Sequence, residues 1–222
     1  MARITLNPST SGLWRVGGLN DTLHRSRQLE AESWPEAAQM RFDAVQALLD
    51  KLGEEDILLD WEDRPTRAAI ELIYVAAADQ LIIGEVETAA ALWEVLLSVD
   101  EEDHMSASVP LAFCYVALED YDCWEEIMFS ISSKSPEYHL LTLWAEYRRT
   151  GGIDRDALHA LRTRHKVWTE EFLADEHPLD EEYLTDSRSE RPSPRTEARE
   201  LYFATAPLWE SNDKFLKTIK KA

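Results

Sequence analysis

The sequence has few of the residues that mark tight turns, disulfides or membrane spans. Its 222 residues include only 7 glycines, 9 prolines and 2 cysteines. Scarce glycine and proline argue against a turn-rich β fold, and two cysteines are too few for a disulfide framework. Residues 1–18 contain no apolar run long enough for a signal peptide or a membrane span. These absences predict a soluble, cytoplasmic protein that does not bind membranes.

Basic residues are also scarce relative to acidic ones. The chain has 43 Asp and Glu against 23 Lys and Arg, a formal net charge of -20, and residues 54–137 carry -18 of it. Such a chain gains nothing from counterion release, which excludes nonspecific binding to nucleic acid and to anionic lipid. Two interpretations stay open: a solvated acidic face, or a surface that steers a basic protein partner.

Motifs that carry catalysis are missing from the sequence. It contains no glycine-rich phosphate loop, no dinucleotide-binding fingerprint, no serine elbow and no HExxH. We therefore expect no cofactor, no metal and no enzymatic activity. The alternative is a metal-dependent enzyme that uses the run Glu101–His104, whose carboxylates and imidazole offer oxygen and nitrogen ligands.

Apolar residues recur at spacings of three and four over most of the chain, which predicts helices throughout. Ser33 and Glu36 have the spacing of a capping box, and Ser135 and Asp154 are further candidate N-caps. The predicted helices cover 33–52, 65–83, 85–99, 106–118, 121–132, 136–149, a segment after 154, and 196–206 and 208–219, separated by Pro207. The predicted fold class is all-α.

Composition divides the chain into four segments. Residues 1–32 are expected to form a loose arm with at most a short helix near 20–30. A helical-repeat domain follows over 33–185, then a polar, proline-containing linker over 186–195 and a C-terminal helical extension over 196–222.

Three helix pairs turn at regular intervals, at Gly84, at Asp120 and at Gly151, about 31 to 36 residues apart. The matching positions are Ala76, Ala77, Gly84, Ala89 and Trp93 in the first pair, Leu111, Ala112, Tyr115, Asp120, Tyr121 and Pro136 in the second, and Leu143, Tyr147, Gly151 and Ala157 in the third. Through them the stretch 68–165 resembles degenerate tetratricopeptide (TPR) repeats. Trp124 and Trp144 depart from the family, which has small residues there.

This resemblance implies antiparallel helix pairs stacked as a short α-solenoid with capping helices at its ends. It also implies a non-catalytic adaptor or chaperone-like module that binds a peptide or helix of a partner in a concave groove. Carried over by position, the groove residues are Glu71, Tyr74, Leu81, Val109, Phe113, Tyr138, Leu141, Arg148 and Arg149.

The occupant of that groove is open on sequence grounds. The acidic middle of the chain favours a basic protein or peptide. A narrower alternative is an immunity or antitoxin-type protein that neutralises a basic partner. The groove residues could also be covered intramolecularly by the N-terminal arm, or by a second copy of the chain in a homodimer.

Overall fold

The computed structural model describes residues 3–53 and 57–222, and these residues are mainly helical. Helices make up 69% of the structure, with twelve α-helices and one two-stranded sheet in the described residues. The all-α class predicted from the sequence is confirmed. The chain divides into two compact units, residues 1–111 and 112–222, where composition suggested four segments.

The first unit opens with a β-hairpin and a helix. Strand β1 (Thr5–Pro8) pairs antiparallel with β2 (Trp14–Gly17), and α1 (Asn20–Glu30) follows. The helix lies where the sequence predicts it, but the hairpin replaces the expected loose arm. Strand β2 also forms a hydrogen bond outside the hairpin: the backbone N–H of Trp14 donates to the carbonyl of Leu58 at 2.8 Å. Because Leu58 is distant from Trp14 along the chain, no local sequence pattern predicts this hydrogen bond.

Three longer helices complete the first unit: α2 (Trp34–Leu52), α3 (Arg64–Ile82) and α4 (Val86–Val99). Helix α1 packs on α2 and α3, α2 packs on α3, and α3 packs along α4. Ser33 is the N-cap of α2, but its side chain makes no capping hydrogen bond, so the predicted capping box does not form. Gly84 makes the turn after α3 with a positive φ of 88°.

The second unit begins within a helix and contains seven more. The helix at the boundary is α5 (Ser108–Leu118), which starts in the first unit. The seven others are α6 (Tyr121–Ile127), α7 (Pro136–Thr150), α8 (Arg155–Arg164), α9 (Lys166–Phe172), α10 (Glu181–Asp186), α11 (Pro194–Ser211) and α12 (Asp213–Lys221). Helix α7 packs on α8, and α9 packs on α8 and α11. The predicted caps Ser135 and Asp154 both accept a backbone N–H, from Tyr138 and Ala157.

The C-terminal part differs from its prediction in two places. The expected linker over 186–195 comprises the end of α10, a short connection and the start of α11, where Ser193 accepts the N–H of Thr196. The expected break at Pro207 does not occur, because α11 continues to Ser211. Trp209 is only 2% exposed, and its burial beyond the proline stabilises the continuous helix.

Candidate functional site

Three of the nine predicted groove residues lie in the core. Phe113 and Leu141 are 0% exposed and Leu81 is 1% exposed. A side chain without solvent-accessible surface cannot contact a partner in this conformation. These three residues therefore stabilise the fold, and their assignment to a partner-binding groove is corrected.

The surroundings of Phe113 explain its burial. Its ring lies 6.0 Å from that of Trp144 and meets the ring of Trp209 edge-on at 5.9 Å between centroids. Trp209 also contacts Phe172 and Phe215. Helix α11 thus supplies the cover over Phe113 within the second unit. The covers named from the sequence, besides a partner, were the N-terminal arm and a second copy of the chain.

The remaining predicted groove residues of the first unit are half-buried. Glu71 is ion-paired with Arg27. Tyr74 tilts against Trp93 with ring centroids 6.2 Å apart, and burial raises the pKa of its hydroxyl. Val109 lies in the first turn of α5.

The two predicted groove arginines are engaged within the second unit. Arg148 pairs with Glu119 at 2.6 Å and also donates to the carbonyl of Ala117 at 3.3 Å. Arg149 pairs with Glu125 at 2.6 Å, and its guanidinium lies over the Tyr121 ring, 4.4 Å from the centroid. Both side chains are thus held by neighbouring groups.

Tyr138, the last of the nine, is half-buried in the first turn of α7. Its backbone N–H donates to the hydroxyl of Ser135 at 3.2 Å, and its ring meets His139 edge-on. Within the described part of the chain, Tyr138 forms no ring contact and no hydrogen bond with another predicted groove residue.

Residues 119–130, which we call the α6 corner, form a second candidate surface for a partner. It comprises the turn before α6, the helix itself and a 3-10 turn over Met128–Ser130. None of the seven residues of α6 is buried. Asp120 caps the helix by accepting the N–H of Cys123 at 3.2 Å, so the corner has a defined conformation.

Phe129 is the most exposed large apolar side chain of the described residues, at 93% of its maximum. The 3-10 turn causes this exposure, because residues three apart in such a turn point the same way. Met128 and Ile131 point inward and are 8% and 7% exposed. Phe129 stands between them and is directed into solvent.

The surface around Phe129 is acidic. The α6 corner contains five carboxylates and no lysine or arginine; they are Glu119, Asp120, Asp122, Glu125 and Glu126. Two of them are paired with arginines of α7. Asp122 and Glu126 are exposed and form no ion pair with any residue that the structure describes. The corner therefore combines an apolar projection with uncompensated negative charge.

Sequence reasoning missed Phe129. The predicted helix over 121–132 continued through it, so the change from α-helix to a 3-10 turn at Met128 was not anticipated. The only available signal was an aromatic residue in a run otherwise rich in serine.

The acidic turn Glu101–His104 has a local structural role. The His104 ring stacks on Trp61 with centroids 4.4 Å apart, and its Nδ1 lies 2.6 Å from Asp100 Oδ1. Asp103 accepts the N–H groups that begin α5, from Ala107 at 2.5 Å. Over residues 3–53 and 57–222, no group of three or more His, Cys, Asp or Glu side chains is arranged to hold a metal ion.

A second group of charged side chains is buried between α9, α11 and the loop before α10. Arg199 Nε donates to Glu171 Oε1 at 2.6 Å, and the same carboxylate oxygen lies 3.6 Å from His177 Nδ1. The His177 ring lies 3.8 Å from that of Tyr202 between centroids. Burial lowers the pKa of His177, although Glu171 opposes the shift. These contacts hold the loop onto the two helices.

No protein-family model matches the chain, and no curated protein and no solved structure matches it. The resemblance to TPR repeats and the groove that it implies therefore stay predictions. None of the helices in the described ranges has both the length and the apolar character needed to cross a membrane.

Proposed function

We propose that this protein is a non-catalytic protein-interaction module that binds a basic partner through the α6 corner. The observation that carries the proposal is Phe129, 93% exposed on an ordered turn. The predicted mode of action, binding of a protein or peptide, is kept, but the contact surface moves from the concave groove to this corner.

An exposed phenylalanine is suited to act as an anchor in an interface. Aromatic side chains dominate interface energetics because each buries a large area and loses few rotatable bonds. Phe129 lies in a turn between the buried residues Met128 and Ile131. The turn is therefore already fixed, and binding requires little further ordering of the backbone. A partner with an apolar pocket would receive this ring.

The acidic side chains define the partner's charge. Asp122 and Glu126 are exposed in the same α6 corner as Phe129, and the whole chain carries -20. Complementary charge speeds association and rejects acidic competitors. The partner's pocket should therefore be bordered by lysine or arginine.

The test is quantitative affinity capture from a native lysate with wild type and Phe129→Ser. Loss of a hot-spot aromatic costs about 2 kcal/mol or more, roughly a thirtyfold loss of affinity. We expect wild type to retain at least one basic protein that Phe129→Ser does not retain. Calorimetry then measures the affinity of that protein for the two forms.

Leu179→Ser is the matched control, because Leu179 is also an exposed apolar residue, at 64%, and lies outside the α6 corner. It should capture the same protein as wild type. Asp122→Asn combined with Glu126→Gln should weaken capture and reduce its salt dependence. Equal capture by wild type and Phe129→Ser would overturn the proposed surface.

We also infer that the protein works in a reducing compartment such as the cytoplasm. Cys114 and Cys123 are both thiols and form no disulfide. Burial raises the pKa of Cys114 to about 12, so this thiol stays protonated and unreactive at neutral pH.

A further inference from the structure

A cavity of about 670 Å³ lies beside α1 and α2 in the first unit. Its apolar lining includes Ile4 and Leu19, which are 6% and 1% exposed. Met40, Ala44 and Ala47 line it from α2 at half-buried positions three and four residues apart. The volume falls in the range of small-molecule sites. The small alanines leave room along the helix, and the flexible methionine adapts to the shape of an apolar guest.

The charged residues that line this cavity are mostly basic. Arg3, Arg25 and Lys51 contribute three positive charges. Asp21 and Asp43 contribute two negative charges. None of the three cations forms an ion pair with another described residue, whereas Arg15, Arg27 and Arg41 of the same unit all do. Three cations that form no ion pair within the described part of the chain are notable around one cavity, because the sequence has 43 acidic side chains.

We infer that this cavity binds a small amphipathic anion, an unbranched alkyl chain that carries one carboxylate. The alkyl chain would lie on Met40, Ala44 and Ala47, and its burial drives binding. The carboxylate would accept charge-assisted hydrogen bonds from Arg25 or the neighbouring cations. This site is independent of the α6 corner and of any protein partner.

The test compares three ligands that share a ten-carbon alkyl chain, namely decanoate, decanol and decyltrimethylammonium, each used as a dissolved monomer. Binding is measured by calorimetry and by the rise in Tm that any ligand of the folded state causes. Decanoate should bind one to one, about tenfold more tightly than decanol, which lacks the charge-assisted contact. Equal binding of decanoate and decyltrimethylammonium would overturn the inference.

Two variants locate the site. Ala47→Phe fills the apolar lining and should abolish decanoate binding, whereas Gln46→Phe, one residue away and exposed, should not. Arg25→Gln should weaken decanoate about tenfold and leave decanol unchanged. Its control is Arg27→Gln on the same helix, outside the cavity.

Circular dichroism checks that each variant is folded, and Ala44→Phe replaces Ala47→Phe if the latter is not. Unchanged decanoate affinity in a folded cavity-filling variant would place the ligand elsewhere and refute the site. Vesicles of phosphatidylglycerol distinguish a free amphiphile from a membrane surface: cosedimentation with vesicles in the absence of decanoate binding would also refute it.

Discussion

Arg41 forms the most deeply buried ion pair of the first unit. Its Nε and Nη2 donate to the two carboxylate oxygens of Asp79 at 2.6 and 2.8 Å, and its Nη1 donates to Glu30 at 3.0 Å. Arg41 is 1% exposed and Asp79 is 3% exposed. Burial alone would lower the pKa of Arg41, but the two carboxylates outweigh it and raise that pKa. One guanidinium thereby joins α1, α2 and α3.

Replacing Asp79 with alanine should destabilise the protein by about 3–5 kcal/mol, because it leaves Arg41 buried without its bidentate partner. Urea denaturation measures the change. Asp43→Ala, at an exposed position of α2, should cost less than about 0.5 kcal/mol. The double variant Arg41→Met with Asp79→Leu should regain most of the lost stability. A loss below 1 kcal/mol for Asp79→Ala would show that the pair contributes little.

This pair also shows the limit of sequence reasoning at single residues. Arg41 lies on the apolar face of α2, but arginine is mostly exposed in proteins, so the residue type argued against the burial that its position implies. Asp79 lies on a different helix, and only the packing of α2 on α3 brings the two together.

Helix α11 has Pro207 in its interior, where the ring removes one backbone hydrogen bond. Pro207→Ala restores the N–H donor and should stabilise the protein by about 1–3 kcal/mol, measured by urea denaturation. Ala204→Gly, at an exposed position of the same helix, provides the opposite control and should cost about 0.5–1 kcal/mol. Destabilisation by Pro207→Ala would mean that the proline's local geometry is needed to place Trp209.

The helices were predictable where caps and periodicity agree. Asp154 and Ser135 cap α8 and α7 as expected, since capping depends on residues two or three positions away. The hairpin and the continuity of α11 were not predictable, because both depend on distant contacts. Trp14 pairs with the backbone near Leu58, and Trp209 packs against Phe113 and Phe172.

Distant contacts also explain why the candidate binding surface is the α6 corner and not the predicted groove. An apolar helical face in α5 and α7 predicts burial against something, but not against what. The sequence interpretation places Phe113 and Leu141 in a groove covered by a partner, by the N-terminal arm or by a second copy of the chain, whereas both are buried and α11 supplies an aromatic cover for Phe113. Residues left exposed after such packing, such as Phe129, can be recognised only when the whole unit is known.

Charge acts at the scale of the whole molecule. Residues 1–111 carry a net charge of -13 and residues 112–222 carry -7. Acidification reduces this self-repulsion and favours the folded state. Two half-buried histidines of the second unit, His139 and His177, have the opposite effect, so the two contributions must be separated by substitution.

Burial lowers the pKa of both His139 and His177 below the ordinary 6.5, and the charges of His165 and Arg164 lower that of His139 further. The unfolded chain therefore takes up protons first as the pH falls, and the stability held by the neutral imidazoles declines below about pH 6.5.

The free energy of unfolding of wild type minus that of His177→Gln should thus decrease from pH 7.5 to pH 5.5, by at most about 1.4 kcal/mol per pH unit. Subtracting the variant removes the global charge effect, which both proteins share. His159→Gln, at an exposed position of α8, is the matched control for loss of an imidazole. A difference that grows on acidification would mean that His177 is charged in the folded protein and paired with Glu171, and a constant difference would mean that folding leaves its pKa unchanged; either result would contradict the prediction.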